Sequence, residues 1–176
     1  QTDNDVYIND VFVPKVASQL ESLDWKNICE TIHWSRFHGD LHGENILHNN
    51  ENYILIDWRQ NFGGASYDFG DAYYDFSKIH HGLLVNHGVV AKNEFDIVEA
   101  NSTEIFLTIN RKSNLIEAEN GLKLWLLRNR FDLNKVNILT ALIFINIAGL
   151  HDFPYAKFLF NFGRLMLARQ SINKKN

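Results

Sequence analysis

Five residues whose side chains could do chemistry fall within one stretch, Phe37–Trp58, which reads FHGDLHGENILHNNENYILIDW. They are His38, Asp40, His42, Asn45 and Asp57. No rule of core packing asks for so many oxygen and imidazole donors in so short a span. Asn45–His48 and Tyr53–Asp57 are apolar-rich runs of strand length, and the Asn49-Asn50-Glu51-Asn52 cluster between them is turn chemistry, because Asn tolerates the left-handed region. A hairpin so connected sets Asn45 beside Asp57. A carboxylate and a carboxamide oxygen presented together suit a hard divalent cation that keeps waters for phosphate oxygens to replace. The segment before Asn45 is then a loop that brings Asp40 to the same place, as a base or an orienting group.

The pattern H-G-D-x-H-x-x-N, followed by an apolar strand ending in I-D-W, resembles the catalytic loop and metal-binding segment of the aminoglycoside phosphotransferase and choline kinase family, small-molecule relatives of the protein kinases. The resemblance implies an ATP-dependent phosphotransferase with Mg2+, acting on a hydroxyl of a sugar, amino alcohol or aminoglycoside-like molecule. It implies that Asp40 accepts the substrate hydroxyl proton, and that Asn45 and Asp57 hold magnesium. His38 would prop the loop, and His42 stands where many members carry a second histidine. Asp68, in YDFGD, would tie the loop to the following helix, with Asp71 a competitor for that role. Two departures stand out: Gly43 where proline is common, and Arg59-Gln60 where many members have an acidic residue or glycine.

Other readings compete. His33, His48, His80, His81 and His87 each read as satisfied structural histidines. Acidic residues such as Asp75 could attract a cationic substrate, and Tyr74 and Lys78 fall near the expected site. Two function classes stand beside the kinase: a catalytically inactive kinase-like binding module, and a metal-dependent phosphohydrolase in which His38, Asp40 and His42 bind a transition metal.

The elements that must position these residues follow from composition and periodicity. A chain of 176 residues, 45% hydrophobic and 13% aromatic, can bury a core as one domain, 1–176. A net charge of -4 argues against nucleic acid or an anionic membrane as the main partner. The single Cys29 and the lack of a signal-peptide pattern make a cytoplasmic setting the expectation. The longest apolar run, Ile138–Leu150, is shorter than the ~18 residues of a membrane span and reads as a buried helix.

Apolar spacing predicts helices over about 14–23 and 25–30, then an extended lead-in to the loop. It predicts further helices over about 67–81, 114–128, 133–150 (capped by Asp132) and 155–170. Residues 61–66 read as a glycine loop, 82–92 as an ambiguous stretch with a turn at His87-Gly88, and 94–99 with 103–109 as a hairpin at the surface or beside a pocket. The expected fold is α+β, mainly α-helical, with small β-hairpins at the active edge. It resembles the C-terminal lobe of the kinase-like fold. About 37 residues precede the motif, too few for the β-rich nucleotide-binding lobe, so that N-terminal lobe is expected to be missing from this chain.

Overall fold

The computed structural model describes residues 3–30, 32–60 and 69–173. The molecule is α+β with about 53% helix and small sheets. The largest sheet begins where the sequence gives little sign of one. Strands β1 (Val6–Ile8) and β2 (Val11–Val13) are three residues each, too short to show alternation. They are joined through Asn9 and Asp10, both at positive φ (47° and 63°), the backbone that two-residue hairpin loops require. The Asn9 side chain extends the pairing: its Nδ2 donates to the Leu107 carbonyl at 2.9 Å and its Oδ1 accepts from the Leu107 N–H at 2.7 Å.

After this hairpin come helices α1 (Val16–Glu21) and α2 (Trp25–Glu30), then strand β3 (Trp34–Ser35). Next stand a 3₁₀ turn (Gly43–Asn45) and the strands β4 (Ile46–Asn49) and β5 (Asn52–Leu55). Strand β6 (Gly70–Asp71) pairs with β3 and leads into α3 (Ala72–Leu84). The expected helix start near Tyr67 is therefore too early: Tyr67 lies outside the described residues, and Phe69 precedes the helix and is exposed rather than core. Asp71 fixes the start of α3, because its carboxylate accepts from the Tyr73 N–H at 3.2 Å.

The ambiguous stretch folds as α4 (His87–Ala91), whose cap Asn86 accepts from the Val89 N–H at 2.9 Å. His87-Gly88 is thus the first turn of a helix. Strands β7 (Phe95–Asn101) and β8 (Glu104–Ile109) form the expected hairpin, but they are no surface appendage. β8 pairs in parallel with β1, giving a four-stranded sheet in the order β2-β1-β8-β7. Val6, Ile8, Val13, Ile105 and Leu107 are buried on one face of this sheet, in a core shared with Phe158, Leu159 and Leu165.

The remaining helices, α5 (Ser113–Arg128), α6 (Leu133–Ile147) and α7 (Tyr155–Asn173), match the apolar spacing closely. Asp132 caps α6 as expected, accepting from Asn134 N at 2.8 Å. Helices α6 and α7 pack so closely that a Cβ at Gly163 would stand 2.7 Å from the Ala141 carbonyl oxygen. With its 3₁₀ continuation, α6 forms a helix over Leu133–Leu150 that is 18 residues long and apolar enough, by length and composition, to cross a membrane. The apolar stretch is therefore longer than the run counted in the sequence. In this fold it packs against α3 and α7, with Val136, Ile138, Ala141 and Phe144 buried.

Candidate active site

The β4–β5 hairpin has the register Ile46↔Leu55 to Asn49↔Asn52, turned through Asn50 at φ 44°. One further bond, from the Ile56 N–H to the Asn45 carbonyl at 3.0 Å, carries the pairing past the strand ends. It sets Asn45 opposite Ile56, one residue from Asp57, as the spacing predicts. Asp57 is exposed, and its backbone takes φ 57°, a left-handed conformation that Asp adopts at less cost than most residues.

The loop before the hairpin is held from below by α3. His38 is 2% exposed, and its Nδ1 accepts from the Asp40 N–H at 3.2 Å. A carbonyl can only accept, so Nε2 donates to the Ile56 carbonyl at 2.9 Å. The ring thus braces the loop against the hairpin, with Trp58 lying 4.8 Å away, centroid to centroid. Gly39 takes φ 80°, and a Cβ there would meet Arg59 Cβ at 2.7 Å; glycine is required at this crossing. Both carboxylate oxygens of the buried Asp75 serve the same loop, accepting from His38 N–H at 2.8 Å and Gly39 N–H at 2.9 Å. Burial pushes the Asp75 carboxyl up, against the pull of these two amides.

Asp75 therefore ties loop to helix, the role that the resemblance implies for Asp68. Asp68 itself lies outside the described residues. The competitor Asp71 caps α3, accepts from the His33 N–H at 3.2 Å and pairs with Lys135 at 2.8 Å. Asp75 is 6% exposed and spent on backbone amides, so it is no attractor for a cationic substrate.

Asp40 sits at the centre, its side chain 22% exposed. Lys78 Nζ is 2.7 Å from Oδ1, whereas Arg59 Nη2 and His42 Nε2 stand 3.8 Å and 4.0 Å from Oδ2, beyond hydrogen-bond reach. Burial alone would raise the Asp40 carboxyl, but Lys78 above all, with Arg59 and His42 beyond it, holds it below its usual range. Burial is also the main reason that His42 titrates below the ordinary histidine value. His42 precedes the 3₁₀ turn, and Asn45 ends it. The Asn45 amide donates to the Asp40 carbonyl at 2.9 Å and approaches His42 Nε2 at 3.2 Å.

The donor set fits a hard divalent cation. With its amide hydrogens spent on the loop, Asn45 has its carboxamide oxygen to offer, and the neighbouring Asp57 supplies an exposed carboxylate. The transition-metal alternative fits poorly, since both ring nitrogens of His38 are taken by backbone. Among the described residues no group of three His, Cys, Asp or Glu side chains is placed to hold a metal ion.

Arg59 and Lys78 are the site residues that sequence reasoning undervalued. Arg59 reads as a departure from a family pattern, yet its N–H also donates to the His38 carbonyl at 3.0 Å. Lys78 reads only as a neighbour; its signal is the helical spacing Asp75, Lys78, which puts anchor and cation on one face. Comparison with family models, with curated proteins and with solved structures finds no match for this chain.

Proposed function

We propose that the chain is the catalytic part of an ATP-dependent phosphotransferase that moves the γ-phosphoryl group to a hydroxyl of a small molecule. One observation carries this reading. Asp40 is gripped by Lys78 at one carboxylate oxygen, while the nearest nitrogens of Arg59 and His42 stand outside hydrogen-bond distance of its other oxygen. That oxygen stands on a loop braced by His38 and Asp75, next to the Asn45 and Asp57 pair.

In this mechanism the second oxygen of Asp40 accepts a hydrogen bond from the acceptor hydroxyl and aims its lone pair at the phosphorus. A carboxylate held below its usual pKa is a weak base, so its main work is orientation. It takes the proton as the new P–O bond completes and gives it to solvent afterwards. Asn45 and Asp57 would hold magnesium, which when bound neutralises charge on the phosphate oxygens. Lys78 and Arg59 add fixed positive charge where the transferring group gains negative charge.

On this reading the helices and the β4–β5 hairpin form the C-terminal lobe of a kinase-like fold, working in the cytoplasm where ATP is available. A separate N-terminal lobe would hold the nucleotide. Exposed apolar residues on the β4–β5 hairpin support that arrangement: Leu47 and Ile54 are paired across it and are both large and exposed, as a contact surface for that lobe would be.

The test is magnesium-dependent ADP formation by the longest native polypeptide containing this chain, against amino alcohols, sugars and aminoglycosides. Asp40→Asn is expected to lower turnover about 10²–10⁴-fold. Undiminished turnover by that variant overturns the assignment.

A further inference from the structure

Helix α5 turns an apolar face to solvent. Along its 16 residues only Glu119 and Leu126 are buried, whereas Ile116 is 40% exposed, Leu124 53% and Leu127 56%. Glu117, Asn120, Leu124 and Leu127 recur at steps of three, four and three, the spacing that lines side chains along one seam of a helix, with Ile116 and Arg128 beside it. Several large apolar side chains exposed together on one face mark a contact surface.

The charges on this face say what fits it. On the inner side, Glu119 is spent within the chain, on Lys123 one turn along and on Arg111 and His80. Glu117 and Arg128 are both exposed and have no such use. Three and four residues from Glu117 stand Ser113, Asn114, Asn120 and Gly121, and the same steps back from Arg128 reach Trp125 and Leu124. Neither can therefore make the pair that opposite charges form at that spacing. Among the described residues neither has an ion-pair partner. An acid near one end of the seam and a base near the other make the face complementary to itself turned end for end.

We infer that α5 is a self-association surface, on which a second copy of this chain docks α5 against α5, antiparallel about a two-fold axis. An axis at the level of Leu122 sets Asn120 opposite Leu124 and Glu117 opposite Leu127, one residue, or about 1.5 Å of rise, from Arg128. By symmetry each of these contacts occurs twice. Gly121 lies next to the axis. A Cβ there would meet nothing within 4 Å, so no contact within the chain asks for glycine in this helix interior, where it is unfavourable; close approach of a second helix does. One helix pair is at the small end of specific interfaces, so the dimer is reversible. The seam contains none of the residues around Asp40, and the inference does not depend on the phosphotransferase reading.

The test is sedimentation velocity on the longest native polypeptide containing this chain, from micromolar to millimolar concentration, where a monomer–dimer equilibrium is expected. Leu124→Asp should raise the dissociation constant about tenfold or more, since it enters the interface twice. Glu117→Arg alone and Arg128→Glu alone should each weaken self-association, because each sets like charges together in both contacts. Mixing these two single variants should restore the dimer, as a heterodimer in which both contacts pair Arg with Glu; all three positions are exposed, so folding tolerates the changes. A monomer at every concentration overturns the inference, and so does a monomer in which another segment of the polypeptide protects α5 from amide exchange. A dimer indifferent to Leu124→Asp uses another face and overturns it too, and failure of the mixed variants to pair rules out the antiparallel contact.

Discussion

Asp40 and Glu119 are each faced by three nitrogen-bearing side chains, at quite different distances. Around Glu119, His80 stands at 3.3 Å and Arg111 at 2.7 Å, and Lys123, one turn along α5, is in direct contact. The same partners reach further into the fold: Arg111 donates to the Leu83 carbonyl at 2.9 Å, and His80 Nδ1 lies 3.2 Å from Thr140 Oγ1. Glu119 is buried, and His80 leads the partners that hold it well below the usual carboxylate range. This is a closed cluster, in which the charge is consumed in joining α3, α5 and α6. Around Asp40 only Lys78 is close. Arg59 and His42 stand back, and the carboxylate keeps exposure and one oxygen for a ligand. The same chemical groups make a staple when the carboxylate is closely paired and a site when one of its oxygens is left short.

The comparison breaks most readily by swapping consequences. Asp40→Asn should remove nearly all phosphoryl transfer while leaving the urea unfolding free energy within about 1 kcal/mol, since the pairs it weakens are partly exposed. Glu119→Ala should do the reverse, lowering the unfolding free energy by about 1–3 kcal/mol, because Arg111, Lys123 and His80 lose the buried carboxylate that joins them. A loss below about 1 kcal/mol at Glu119 would show that the cluster is no staple. Asp75→Ala stands between the two: it orphans the His38 and Gly39 N–H groups and should cost about 2–3 kcal/mol along with turnover, read by unfolding and by ADP formation on one preparation.

The pH dependence sharpens the contrast. The folded pKa of Glu119 is depressed from a usual 4.5, so its contribution is complete above that value and fades as pH falls through the lower folded pKa. The stability gap between the wild type and Glu119→Gln, followed by urea titration, should therefore be constant near neutrality and shrink only below about pH 4.5. The smallest effect belongs to Arg59→Gln. Its side chain is half exposed and 3.8 Å from Asp40, so stability should change by no more than about 0.5 kcal/mol, and less in high salt.

Much of the local structure was legible in the residues. The Asn-rich turn and its flanking apolar runs predict the hairpin and the nearness of Asn45 to Asp57. The spacing of apolar residues predicts α2, α5, α6 and α7 to within a few positions, and the alternation in 104–109 groups Ile105, Leu107 and Ile109 on one face, of which the fold buries Ile105 and Leu107. What was hidden is non-local. Three-residue strands such as Val6–Ile8 carry no periodicity of their own. They exist because Ile8 finds Ile105, almost a hundred positions away, in a parallel pair. Asp75 and Lys78 look like the polar face of an amphipathic helix until the loop is laid across them.

The sequence by itself determined the kinds of groups available, the hairpin that joins Asn45 to Asp57, and the helices, because these depend on turn chemistry and on contacts a few residues apart. Only the tertiary structure decided which acid holds the loop, which cation grips Asp40 and which carboxylate is locked away, because burial and ionic pairing depend on distances between elements that no spacing along the chain encodes.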